Sequence, residues 1–219
     1  MNRSFTKKVV LSALLAAGVC PVGAVSAATI PGLYDTGVLD NGTLAPLGSV
    51  DVHYALVSSA DPTFPGPSAH VTSPNPLWVP NTPTSQWVTP ATTQQNEPGG
   101  TYTYQLQFSL CKLNPDTASI SGEWAADDTG SIYLNGSDTG APPQGFGYWA
   151  PFSITHGFVA GLNTLDFVVF NQTEFPSPTG LQVNGLSGTA APVPLPPALA
   201  LFGSGLVGLI GLSRRRQAI

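Results

Sequence analysis

The sequence predicts an all-β protein: an antiparallel β-sandwich flanked by an N-terminal signal peptide and a single C-terminal transmembrane helix. Three observations carry the prediction. Short segments alternate apolar and polar residues with a period of two. The 219 residues include 24 Gly and 22 Pro, far too many for a helical bundle. Between residues 28 and 192 no ten-residue stretch has helical period.

Asp51 to Val57 is the first strand in chain order. In the second, Tyr102, Tyr104, Leu106, Phe108 and Leu110 alternate with Thr101, Thr103, Gln105, Gln107 and Ser109, so one face is apolar and the other polar. Ile120, Gly122 and Trp124 alternate with Ser121 and Glu123 in the third. Ser131 to Leu134 is a short fourth strand, stopped by Asn135-Gly136, a pair that tolerates positive φ. Leu165 to Phe170 is apolar on both faces, as a central strand must be, and Leu181 to Val183 is the last. The interval 61–100 holds nine prolines in forty residues, which predicts a long surface loop with short edge strands or an excursion from the body. Trp78 and Trp87 within it are expected to pack against a surface. Cys111, the only cysteine between residues 28 and 192, is expected to be a small buried hydrophobe.

The chain divides into a signal peptide over 1–27, an exported domain over 28–192 and a tail over 193–219. Arg3, Lys7 and Lys8 precede the apolar run Val9 to Val19, and Ala24, Ser26, Ala27 and Ala28 supply small residues for cleavage. At the other end the span 195–212 has no charge and is followed by Arg214, Arg215 and Arg216. Eighteen residues at about 1.5 Å each reach roughly across a bilayer's hydrocarbon core, and arginines beyond them mark the cytoplasmic side.

All twelve acidic side chains lie between Asp35 and Glu174, where Lys112 is the single cation. Such a body has nothing to neutralise phosphates with, and nucleic-acid binding is excluded.

Val193, Pro194, Leu195 and Pro196, then the apolar span, then the triple arginine, resemble the PEP-CTERM sorting tail of exported proteins, with Leu195 in place of the usual glutamate. The resemblance implies an exosortase-type membrane protease as partner. It also implies a chain first anchored in the inner membrane, its body on the periplasmic side, and later released to the cell surface or beyond.

The densest polar cluster runs from Glu123 to Gly136. Asp127 and Asp128, adjacent acids on a turn between strands, together with Asn135, offer hard oxygen ligands of the kind Ca²⁺ takes; the alternative is that the acids cap the turn. The same stretch, with Phe158 to Val169 and Thr179 to Val183, resembles the galactose-binding-domain-like family, the jelly-roll sandwich of many carbohydrate-binding modules. That resemblance implies the fold more strongly than a ligand. A sugar site needs aromatic planes beside hydrogen-bonding groups, and Phe146, Tyr148 and Trp149, with Asn171 and Gln172, are the candidates; the alternative is that these rings fold back onto the sandwich.

Catalysis has little in its favour. His53, His70 and His156 share no metal-ligand spacing, no Gly-x-Ser-x-Gly elbow occurs, and nothing in the sequence sets two carboxylates at a glycosidase separation, although Glu123 and Asp128 could in principle form such a pair. The expected protein is therefore not an enzyme but a tethered surface or matrix protein that binds polysaccharide. A purely structural matrix component and a glycan-active hydrolase are the alternatives.

Overall fold

The structure is a computed structural model that describes residues 26–142, 145–172 and 174–194. The apolar run 9–19, Leu195, Pro196, the span 195–212 and Arg214, Arg215 and Arg216 lie outside the described residues. Among the described residues no helix is long and apolar enough to cross a membrane.

Among the described residues eleven strands form one antiparallel sheet: β1 (Ala28–Thr29), β2 (Val50–Ser58), β3 (Ser68–Thr72), β4 (Trp87–Thr89), β5 (Gly100–Ser109), β6 (Ser119–Asp127), β7 (Thr129–Leu134), β8 (Ser137–Asp138), β9 (Ala150–Ile154), β10 (Leu162–Asn171) and β11 (Gly180–Ala190). Their spatial order is β8-β7-β10-β5-β2-β3-β4-β11-β6-β9, with β1 added to β11. Register shifts in both ladders of β2, the kind of irregularity that bends a strand, accompany the curl that brings β6 and β9 over β10. The two layers meet at Phe167, whose ring lies 5.7 Å from Trp124 of β6, 6.1 Å from Phe152 of β9 and 6.1 Å from Tyr54 of β2, each centroid to centroid. All four side chains are buried. Aromatic contacts of this geometry add to the burial of the rings, and truncating such a central phenylalanine to alanine costs about 3–5 kcal/mol.

Each strand expected from the alternation is present. Tyr102, Tyr104, Leu106 and Phe108 point into the core, and β10 is indeed central, paired with β5 along one edge and β7 along the other. The Pro-rich interval contributes β3 and β4 to the sheet, and Trp87 is completely buried. Cys111 corrects the expectation: it is exposed. Leu110 is the last inward residue of its run, and the chain turns at Lys112, whose φ is +64°. That turn leaves Cys111 outside the alternation.

Antiparallel pairing gives the sandwich two poles. Asn171 faces Gly100, Phe170 faces Thr129, and Gly180 faces Asp127, so the start of β5, β7 and β11 and the end of β6 and β10 share one pole. The other pole holds the β7–β8 turn at Asn135 and both ends of the described chain. There Ala28 pairs with Ala190, and Leu113 bridges Pro192. Val193 and Pro194 are exposed at this second pole, and the Val193 N–H donates to the Lys112 carbonyl.

Candidate functional site

The first pole gathers most of the side chains singled out in the sequence. Asp127 ends β6 and Asp128 alone connects it to β7, in the facing layer. The alternation of β6 sends Trp124 inward, and two close approaches hold β7 against it. A Cβ on Gly130 would lie 2.8 Å from the Val168 carbonyl oxygen and 3.1 Å from the Trp124 ring, so only glycine allows β7 to lie this close to the indole. Asp127 is 5% exposed, and its Oδ2 accepts from the Trp78 indole N–H at 2.6 Å. Its backbone carbonyl accepts from the Thr179 hydroxyl at 2.6 Å. Asp128 Oδ2 accepts from the Gln172 backbone N–H at 2.8 Å.

The two carboxyl groups lie within hydrogen-bonding reach of each other. Burial pushes the Asp127 carboxyl up to about 7, and the neighbouring Asp128 carboxyl adds to this, while the Trp78 hydrogen bond opposes it. Close to neutrality the pair therefore holds a proton, so it can both donate to and accept from a hydroxyl group.

An aromatic base lies beside the acids. Trp78 packs on Trp87 with ring centroids 4.2 Å apart, and the Trp87 indole N–H donates to the Val79 carbonyl at 2.8 Å. Phe146 and Trp149, half-buried, rest against Trp78, Val79, Trp87 and Ala125. Two backbone bonds fasten their loop, Val79 N–H to the Phe146 carbonyl at 2.8 Å and Ala126 N–H to the Gly145 carbonyl at 3.2 Å. Above this base Tyr148 is 63% exposed and Leu77 is 73% exposed. Phe146 and Trp149 thus fold back onto the sandwich and are half-buried, whereas Tyr148 is exposed.

Two candidates do not join the site. Asn135 is at the opposite pole, separated from Asp128 by the whole of β7, about 20 Å at strand rise. There its φ is +51°, its Nδ2 donates to the Gly157 carbonyl and to Asn163 Oδ1, both at 2.9 Å, and its Oδ1 accepts from Thr164 N–H. It builds a turn, and a calcium site of Asp127, Asp128 and Asn135 is not formed. Among the described residues no three His, Cys, Asp or Glu side chains come together as a metal site. Asn171 is at the correct pole but faces inward. It is fully buried, with Nδ2 directed to the carbonyls of Glu97, Pro98 and Ser177 and Oδ1 accepting from the Ser177 hydroxyl. Gln172, one residue on, is exposed.

The glycosidase pair also separates. Glu123 accepts from Asn184 Nδ2 at 2.7 Å on the outer side of β6, five residues from Asp128, or about 16 Å at strand rise. Carboxylates that cleave glycosides stand roughly 5–9.5 Å apart.

A second acid pair at this pole had no signal in the sequence, because its members are 36 residues apart. The Asp61 and Glu97 carboxyls come within hydrogen-bonding reach of each other, and Glu97 is 1% exposed. Burial first, then Asp61, pushes Glu97 up to about 7. Burial works in the same direction on Asp61, but hydrogen bonds from Glu97 and Thr63 prevail and hold it below the ordinary carboxylate range.

No family model and no curated protein matches the chain. Among solved structures it is similar to the CBM36-1 domain of a multidomain xylanase from the hindgut metagenome of Trinervitermes trinervoides, at 11% identity and a TM-score of 0.27, covering 77% of this chain and 98% of that one. It is also similar to the Arthrobacter globiformis T6 isomalto-dextranase complexed with panose, at 13% identity and a TM-score of 0.23, covering 68% of this chain and 23% of that one. Likeness at this level leaves fold and ligand to be argued from the chain's own residues.

Proposed function

We propose that the first pole binds polysaccharide, and that the protein is an exported, non-catalytic surface or matrix component presenting this pole to glycans. The observation that carries the reading is the meeting of Tyr148, Trp149 and Phe146 with the Asp127–Asp128 pair and Gln172 at one end of the sandwich. Aromatic faces cover the C–H faces of sugar rings, and carboxyl and amide groups beside them engage the hydroxyls. The packing of Trp78 on Trp87 fixes this base before a ligand arrives, which lowers the cost of binding. The distance between Glu123 and Asp128 favours binding over hydrolysis.

Export and anchoring rest on the charge and apolar patterns of the two ends, and sorting by an exosortase-type protease rests on the tail's resemblance. Affinity electrophoresis of the purified chain in gels containing exopolysaccharide tests the site. We expect retardation that Tyr148→Ala and Trp149→Ala each reduce about tenfold. Equal migration with and without polymer across the panel would refute it. Mass spectrometry of the protein recovered outside the cell tests sorting: the triple arginine should be missing, and its presence on secreted protein would contradict the reading.

A further inference from the structure

We infer that the outer face of the β7-β10-β5-β2 layer carries a second sugar-binding groove, shaped for an uncharged polysaccharide segment. A groove of about 360 Å³ lies on this face, lined by Tyr34, His53, Gln105 and Gln107 together with Gly32 and Ala55. It is distinct from the pole: Tyr34 lies on the segment that follows β1 and crosses the end of β5, where a Cβ on Gly32 would sit 3.3 Å from Phe108 Cα. The Tyr34 carbonyl is tied to the core by the Tyr54 hydroxyl at 2.8 Å.

The groove has the two components a sugar site needs. One is a preformed aromatic face: the Tyr34 ring, held in place by stacking on the nearly buried His53 ring with centroids 3.6 Å apart and 4° between planes. The other is a polar row. Gln107 Nε2 donates to Gln105 Oε1 at 3.1 Å, and Gln105 Nε2 donates to Asp166 Oδ1 at 2.8 Å. Tyr133 pairs with Asp166, and Asp166 with Gln105, so the row continues across three strands to an outward tyrosine. Each glutamine keeps an amide hydrogen and acceptor capacity beyond these bonds, and adjacent sugar hydroxyls need both.

The His53 side chain is 8% exposed and its Nε2 is closed off from solvent, 3.7 Å from the Asp40 carboxylate, so His53 backs the Tyr34 ring and leaves Tyr34 and the glutamines to meet a ligand. The ligand is uncharged because the body sets twelve acidic side chains against one lysine, and Asp166 and Asp40 flank this face; a polyanion would be repelled.

The test is affinity electrophoresis of the full chain in gels containing hydroxyethyl cellulose, laminarin or dextran, with alginate as the acidic comparison. At least one neutral polymer should retard the protein, and alginate should not. Gln107→Ala and Tyr34→Ala, one exposed and one on the crossing segment, should each weaken that retardation about tenfold with far-ultraviolet circular dichroism unchanged. Retardation by alginate alone, by no polymer, or unaltered in both variants would overturn the inference. If Tyr148→Ala abolishes retardation while Gln107→Ala and Tyr34→Ala do nothing, the pole binds and the groove does not.

Discussion

The indole N–H of Trp78 donates to Asp127 Oδ2 across 2.6 Å, joining residues 49 apart in sequence inside the pole where the two layers are connected. One is 6% exposed and the other 5%, so the bond operates away from bulk water and couples the aromatic base to the acid pair.

Replacing Trp78 with Phe keeps an aromatic ring but removes the donor. The Asp127 carboxyl then loses the one hydrogen bond that opposes burial, and its tendency to hold a proton should increase. The expected loss of stability is about 1–3 kcal/mol by urea unfolding, and Asp127→Asn should cost less in the Trp78→Phe background than alone. Additive losses would show that the two side chains are not coupled.

Stability should decline as the pH rises. Asp127 and Glu97 hold their protons up to about pH 7 in the folded chain, whereas their ordinary values are 3.8 and 4.5. The folded state therefore binds more protons than the unfolded state between these limits, and by linkage stability is lost as pH climbs through that window. The melting temperature at pH 5 should exceed that at pH 8 by several degrees, and Asp127→Asn should flatten part of the slope. A higher melting temperature at pH 8 would contradict the assignment.

Asn171→Leu should destabilise the fold by roughly 3 kcal/mol, because three backbone carbonyls and the Ser177 hydroxyl lose their buried partner. Whatever protein remains folded should be retarded by the same polymers that retard the unsubstituted chain. A selective loss of binding at full stability would place Asn171 in the ligand site instead.

Chelator and Ca²⁺ should each leave the melting temperature within about a degree of the untreated protein. Asp127 Oδ2 is committed to Trp78 and Asp128 Oδ2 to the Gln172 backbone, while Asn135 serves a turn at the far pole. A calcium-dependent rise of several degrees would show that the pair does coordinate a cation.

The legible part of the fold is the part that depends on alternation. The pleat forces Tyr102 through Phe108 to one side whatever the partner strands are, so β5 could be read directly. Residues 150–154 escaped because Pro151 and Ser153 occupy the outward positions of an edge strand too short to show a period. Residues 184–190 escaped because the β6–β11 register shifts between Asn184 and Ser187, which interrupts the alternation of β11. At the candidate site, the nearness of Asp127 and Asp128 to each other was legible because they are adjacent in sequence on the turn between β6 and β7. Asn135 and Asn171 were not distinguishable from ligand-facing amides, since whether an asparagine serves a turn or a ligand is decided by which backbone groups lie opposite it. The Trp78–Asp127 bond, the Asp61–Glu97 pair and the Tyr34–His53 stack each join segments that meet only through the sheet's order, and no local pattern encodes that order.

Because Ala28 and Pro192 sit together at one extremity, the molecule behaves as a plug with both leads at its base. A resin or partner attached at either lead leaves Tyr148 and its neighbours at the opposite pole, away from the attachment. The groove of Tyr34 and His53 then lies on the side of the body, between the attached base and the free pole.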